Sequence, residues 1–407
     1  MKKLLAAVYS ALFSSGVTRA FFEAFFHLMG RRGEMDLCRA RRILVVRLDE
    51  IGDVALTVPF LRRLRSQCAD ARITLVVNSK TRNLVENCPY VDGVLAFDPP
   101  QTGGLFKARR LGRAIGFASL KLWRLNCDAA FVPRRGTDVY YGAKCLAFLS
   151  GARHRLALRW DCLKAGEELD AEGGSWMTQM FEAPIECHEA EAPMALFAPW
   201  TKDGKCPEAE GLELWPSPDD DRTVRSLLSS GGFSPEKGWI ALGVGAARAF
   251  RRWPEENFIE IARFLTSERH GVVVVGGPME SALGDRLVRE VGKGALNAAG
   301  RTTLSQLAAL MCHCRLYAGN DSGPMHIAAA MGIPVVEISS HARSANPFHA
   351  CSPSRFGPWR TPHRALRPDG LLPPCRNACA EGEPHCIRQI GLAEVRTAIA
   401  ELTGERV

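Results

Sequence analysis

No apolar stretch in this chain of 407 residues reaches the ~20 residues that a helix needs to cross a bilayer. With 24% charged residues, a polytopic membrane protein is not indicated. Aromatic–basic interleaving and nucleic-acid reader motifs are also missing, which argues against a nucleic-acid partner. The glycine loop Gly243-Val244-Gly245 runs into Arg248 where a dinucleotide fingerprint needs glycine, and no G-K-[ST] follows. It is neither a dinucleotide-binding turn nor a P-loop. The 14 cysteines form no tight framework over most of the chain. That pattern suits a reducing compartment, with most thiols serving as small buried hydrophobes. Internal repeats and low-complexity tracts are absent.

What is present is a globular composition, 46% hydrophobic and 24% charged, long enough for two cores. The net charge of +8 is modest but clustered, at Arg62, Arg63 and Arg65, at Arg109, Arg110 and Arg113, and at Arg134 with Arg135. Such clusters are either solvated faces or a surface for an anionic partner, such as a phosphorylated glycolipid or a membrane leaflet. Residues 1–40 combine Met1-Lys2-Lys3, an apolar run from Leu4 to Phe13, the pairs Phe21-Phe22 and Phe25-Phe26, and a basic Arg31-Arg32. No small-residue cleavage site follows the apolar run. We read this segment as amphipathic and membrane-associating, lying in the interface. The alternative is a helix docked on the protein's own body.

From residue 41 short β-branched runs alternate with helical stretches. Strands are expected at 43–46, 73–77, 94–97 and 129–132, with helices at 54–66, 81–88 and 109–125. Pro59 should kink or break the first of these helices. Residues 160–236 are irregular and hold the interdomain linker. A second alternation follows, with strands at 239–242, 272–275, 316–318 and 335–338. Apolar runs between helices mean parallel sheets covered on both faces. The fold class is therefore α/β, two doubly wound Rossmann-like domains in tandem. Ligands of such sheets bind at the carboxyl ends of the strands, and in a tandem pair those ends can face each other across a cleft.

Three loops carry polar residues at such ends. Arg47 to Asp53 follows the first strand. There Gly52 permits a tight turn, and Asp53 is either a helix cap or a general base. Gly243 to Arg248 leads to Phe250-Arg251-Arg252-Trp253-Pro254, where an arginine can pair bidentately with a diphosphate or simply sit on the surface. Asn320-Asp321-Ser322-Gly323-Pro324-Met325-His326 joins a strand to an Ala-rich helix. Its turn residues place a helix N-terminus where a phosphate binds. Asp219-Asp220-Asp221 has the form of a metal-binding D-x-D, but its place just before a helix favours capping. Cys375, Cys379, His385 and Cys386 lie within a dozen residues. They are open to three readings: a zinc site, a disulfide, or structural thiols.

Taken together, these motifs resemble glycosyltransferase family 9, the ADP-heptose:lipopolysaccharide heptosyltransferases. The resemblance rests on Ile43 to Val54 with Thr57 and Pro59, on Arg252-Trp253-Pro254, on Asn320 to Pro334, and on Cys386-Ile387-Arg388-Gln389-Ile390 before Glu394-Val395. It implies a GT-B architecture, two facing Rossmann-like domains with a cleft between them. The implied domains are 41–215 for the acceptor and 216–390 for the nucleotide-sugar donor, with 391–407 a C-terminal helix that can pack back on the first domain. Asp53 then corresponds to the catalytic carboxylate and Asp321 to the aspartate that contacts the donor sugar. Arg251, Ser322, Gly323 and His326 fall at the diphosphate, and Gly243, Gly245 and Glu280 at the nucleotide. Arg62, Arg63, Arg134 and Arg135 are candidates for acceptor binding. Arg251 stands where the family commonly has lysine, and Gly245 where many members have a hydroxyl.

The implied activity is inverting, metal-independent transfer of heptose from ADP-heptose to a lipopolysaccharide inner-core acceptor, with no cofactor. The implied partners are the nucleotide-sugar donor, an anionic glycolipid and the cytoplasmic face of the inner membrane. Two rivals are a same-fold transferase with another nucleotide sugar or acceptor, and a catalytically silent membrane-associated assembly factor. The presence of both Asp53 and Asp321 argues against silence.

Overall fold

The computed structural model describes residues 24, 36–99, 106–135, 142–159, 176–349, 351–375 and 383–405. The amphipathic segment expected over 1–40 falls outside them apart from Ala24 and 36–40, and so does Cys379. Among the described residues no helix is long and apolar enough to cross a membrane.

In chain order the strands and helices are β1 (Arg42–Arg47), α1 (Ile51–Ala55), α2 (Val58–Gln67), β2 (Arg72–Val77), α3 (Ser79–Val85), β3 (Gly93–Ala96), α4 (Phe106–Phe117), β4 (Ala129–Val132), α5 (Ala143–Leu149), β5 (His154–Leu158), β6 (Gln179–Phe181) and α6 (Pro218–Ser229). They continue with β7 (Trp239–Gly243), α7 (Glu255–Ser267), β8 (Gly271–Val275), α8 (Ser281–Val291), β9 (Ala295–Asn297), α9 (Leu304–Cys312), β10 (Cys314–Asn320), α10 (Gly323–Ala330), β11 (Val335–Ile338), α11 (Pro353–Phe356), β12 (His363–Leu366) and α12 (Leu392–Thr403).

Two six-stranded sheets result, ordered β3-β2-β1-β4-β5-β6 and β12-β11-β10-β7-β8-β9. Every pairing within them is parallel. Counted from its own first strand, each sheet has the order 3-2-1-4-5-6 of a doubly wound nucleotide-binding fold. The expected α/β class is met, with two Rossmann-like sheets. The short strands β6, β9 and β12, which the apolar pattern does not mark, complete their edges. The expected helix over 54–66 is two helices. α1 ends at Ala55, and α2 starts at Val58 with Pro59 in its first turn, where a missing N–H costs nothing.

The chain forms two compact units. One comprises residues up to Asp49, Pro59–Arg82 and Cys88–Ala209; the other comprises Glu50–Val58, Asn83–Asn87 and Glu210 onward. The first unit's core packs Leu44, Val46, Val76, Ala130 and Val132 against Leu111, Leu122, Leu146 and Phe148. The second packs Ile240, Leu242, Val272, Val274, Leu316 and Val336 against Trp253, Phe258, Ile261 and Leu265. The carboxylates of Asp219–Asp221 act at the start of α6. Asp220 accepts from the Ser217 amide at 2.8 Å and the Ser305 hydroxyl at 2.8 Å. Asp221 pairs with Arg225 at 2.7 Å and His313 at 2.7 Å, so capping and ion pairing account for the run.

Candidate active site

In the second sheet the strand order reverses between β7 and β10. The loops leaving these two strands therefore flank a crevice at their carboxyl ends, the usual ligand position of such sheets. A cavity of about 620 Å³ opens there. Its lining comprises Glu50 to Asp53, Gly245 to Ala247, Arg251 and Arg252, Gly276 to Glu280, Asp321 to Pro324, His326 and Phe356, all of the second unit.

Asn320 joins the two loops. It is fully buried at the end of β10, donates from Nδ2 to the Val244 carbonyl at 2.9 Å, and accepts the Trp253 amide at 2.9 Å. One amide side chain thus fixes the loop after β7 against the turn after β10. Ser322 then caps α10 with extended backbone, and Pro324 occupies the first turn. Pro324 has no N–H and the Met325 amide donates to the Ser322 carbonyl at 3.1 Å, so the Gly323 amide is what this helix start offers to an anion in the cavity that Ser322 and Gly323 line.

Asp321 is buried, and its carboxylate pairs with Arg251 Nη1 at 3.2 Å. Arg251 also donates from Nη2 to Cys351 Sγ at 2.8 Å. Burial pushes the Asp321 carboxyl above its ordinary range, and the Arg251 charge pulls the other way. A second carboxyl, Glu337 on β11, is 1% exposed and belongs to the same network. Burial, then the Asp321 charge, raises it well above the carboxylate range, against an opposing pull from Arg367. Its Oε2 has no hydrogen-bond partner among the described residues. Arg251 acts on both carboxyls and Arg367 on Glu337, so the two buried acids share this pair of cations. Sequence reasoning missed Glu337, and the signal for it is an acidic residue in the middle of the apolar run Val335-Val336-Glu337-Ile338.

Asp53 reaches this cavity on α1, which packs on α10. It is the third residue of its helix, not the cap. Glu50 holds the cap position, and its amide donates to Asp53 Oδ2 at 3.2 Å. The Asp53 carboxylate thus has a structural partner and still lines the cavity. Gly52 has a role other than the tight turn expected of it, for it lies inside α1. A Cβ there would stand 2.3 Å from His326 Cδ2, so glycine is what lets α1 seat against the buried His326 ring. Gly323 meets α1 in the same way, with Ile51 3.0 Å from where its Cβ would be.

Gly245 lines the cavity because Glu280 folds over it. An added Cβ would lie 2.5 Å from Glu280 Cδ, leaving no room for a hydroxyl residue in this arrangement. Glu280 in turn accepts the Gly277 amide at 2.9 Å. Gly243 is not among the lining residues. The space beside it is filled by the Tyr317 phenol, whose oxygen would be 1.9 Å from a Cβ. Met279, 88% exposed on the cavity rim, is an apolar surface that the sequence reading did not single out.

The structure brings none of the four acceptor-side arginines into this lining. Arg62 donates to the Tyr90 hydroxyl at 3.0 Å, and Arg63 lies beside it on α2. Arg134 pairs with Asp49 at 2.7 Å. Arg135 donates to the carbonyls of Pro184 at 2.8 Å and Ile185 at 3.1 Å, and its side chain is only 7% exposed. Arg47, Asp49 and Arg134 form an ion cluster beyond β1 and β4, with Arg47 Nε 3.0 Å from Asp49.

Comparison with known proteins points one way. The model of glycosyltransferase family 9 (heptosyltransferase) matches residues 186–369. Lipopolysaccharide heptosyltransferase 2 of Salmonella typhimurium is 25% identical over 309 residues, covering 73% of this chain and 82% of that protein. A lipopolysaccharide heptosyltransferase 3 of Escherichia coli is 29% identical over 295 residues, covering 70% and 80%. Among solved structures, the family 9 glycosyl transferase from Veillonella parvula superposes with a TM-score of 0.70 at 22% identity, over 91% of this chain and 99% of that one. The E. coli ADP-heptose lps heptosyltransferase II gives 0.69 at 20%, over 89% and 98%. At these identities the structural likeness establishes the shared fold.

Proposed function

Since this chain belongs to glycosyltransferase family 9 and is a glycosyltransferase, we propose that it transfers heptose to the inner core of lipopolysaccharide, with ADP-heptose as donor and inversion at the anomeric carbon. The observation that carries this reading is the convergence of Asp53, the Arg251–Asp321 pair and the N-terminus of α10 on one cavity.

The donor diphosphate lies against Arg251 and the backbone at Ser322 and Gly323, where α10 begins. Cationic and dipolar groups there stabilise the charge that develops on the leaving nucleoside diphosphate. Asp321 faces the sugar hydroxyls, and Glu280 the nucleotide ribose. The exposed Met279 side chain offers the nucleobase an apolar platform. The acceptor hydroxyl attacks the anomeric carbon as the bond to the diphosphate oxygen breaks, and its proton passes to Asp53. With an arginine and a helix terminus at the leaving group, this chemistry asks for no metal. We propose further that the protein works at the cytoplasmic face of the inner membrane. There residues 1–40 and the cluster of Arg109, Arg110 and Arg113 meet the anionic leaflet.

Asp53→Asn tests the assignment, because asparagine still accepts the Glu50 amide and preserves the helix start. The expected result is a fall in kcat of about 10²- to 10⁴-fold, with thermal stabilisation by ADP unchanged. Full activity in this variant removes Asp53 from its role. ADP should raise the melting temperature where UDP and GDP do not. Stabilisation by UDP or GDP instead would move the reading to another nucleotide sugar.

A further inference from the structure

Beside the loop that carries Arg251, three metal-ligand side chains converge on one point. Cys375 Sγ and Cys386 Sγ each lie 3.5 Å from His385 Nδ1. All three ligand atoms fall within 4.8 Å of one another. Neither cysteine is in a disulfide.

These distances are informative. A ring nitrogen has one hydrogen or one lone pair at that atom, so it cannot serve two sulfurs equally. A cation between the three groups can. Tetrahedral zinc, with Zn–S of about 2.3 Å and Zn–N of about 2.0–2.1 Å, separates a sulfur from a nitrogen ligand by about 3.5–3.6 Å. Both observed separations match that edge. A disulfide, by contrast, needs sulfurs about 2.0 Å apart and leaves the imidazole without a task.

The surroundings also fit a thiolate-rich centre. Cys386 is fully buried, and the Leu372 amide points at its sulfur from 3.5 Å. Such N–H donors stabilise a bound thiolate and orient it. The Cys375 amide donates back to the Leu372 carbonyl at 2.9 Å, closing a turn that holds the first ligand. Gln389 bridges the Gly370 carbonyl at 2.8 Å and the Cys386 carbonyl at 3.3 Å, tying the two arms together.

We propose that Cys375, His385 and Cys386 bind one zinc ion as a structural clip. Two cysteine sulfurs with one imidazole nitrogen form a donor set that suits zinc over the hard cations magnesium and calcium. Binding displaces two thiol protons to solvent and leaves the imidazole neutral. The fourth position is left to water or another ligand. The clip takes no part in the transfer chemistry. It ties residues 371–375 to residues 383–390, and the Ile390 carbonyl accepts the Trp253 indole N–H at 3.0 Å. Glu383, Pro384 and Arg388 of the latter stretch wall a second cavity of about 300 Å³, together with Gly245, Arg252 and Glu280. Zinc thereby props the loop that holds Arg251 and Arg252.

The test is elemental analysis of the full chain, purified under reductant without chelators and then given zinc and desalted. About one zinc per chain is expected, and its replacement by cobalt(II) should give tetrahedral d–d bands with thiolate-to-cobalt charge transfer. Cys375→Ser and His385→Gln should each lower the zinc content at least tenfold. A wild-type chain that retains no zinc overturns the proposal, and so do variants that keep the wild-type content. Should both variants fail to fold, a wild-type cobalt spectrum without thiolate charge transfer overturns it alone. None of these readouts depends on heptose transfer.

Discussion

Replacing Arg251 by methionine isolates the buried charge network. Arg251 is the cation paired with Asp321 at 3.2 Å, and both carboxyls of the network are buried. Methionine keeps much of the side-chain volume and removes the charge. Removing one partner of a buried ion pair costs about 3–5 kcal/mol when the other must stay charged. Asp321 can escape part of that cost by taking up a proton, which makes the loss depend on pH. The sign follows from the direction of the shifts. Asp321 and Glu337 both have folded pKa values above the ordinary carboxylate value. Their contribution to stability is therefore fully present below the unfolded pKa, about 4, and declines as pH rises through the folded values. Without Arg251 the Asp321 value rises further, and each added unit costs about 1.4 kcal/mol at a pH above the window. The variant should lose only about 1 kcal/mol at pH ~4, from the lost packing and the contact to Cys351, and approach the full 3–5 kcal/mol by pH ~8. Urea unfolding of both proteins across this range, without donor, measures the difference. A destabilisation that stays constant from the acid to the alkaline end would refute the coupling of Arg251 to buried carboxyls.

Two further substitutions probe the same region. Glu337→Gln removes a buried carboxyl that is raised well above its usual range. It should flatten the decline in stability with rising pH and gain about 1 kcal/mol at alkaline pH, read from the same unfolding series. Gly52→Ala places a methyl 2.3 Å from His326, which should cost about 1–3 kcal/mol. A drop in melting temperature and weaker ADP stabilisation are the expected signs, and an unchanged melting temperature would show that α1 has room to shift.

The alternation of strands and helices, the break near Pro59 and the turn after β10 are all legible in the residues alone. These rest on local periodicity, on proline's missing N–H and on cap chemistry, all of which act within a few residues. The sequence also supplies the three loops whose residues line the cavity. What each residue does there was decided by tertiary packing. Residues 50–58 follow a strand of the first unit yet pack with the second, because α1 lies on α10 with Gly52 against His326. Gly243, legible as part of a glycine loop, is taken up by the Tyr317 phenol, and Gly245 by Glu280. Arginines 134 and 135 read as surface charge but are held by internal partners. Glu337 gains its charge network only from neighbours far along the chain, Asp321, Arg367 and Arg251. Periodicity and turn chemistry report a residue's own element, whereas burial, charge partners and the space beside a glycine belong to contacts that only the folded chain makes.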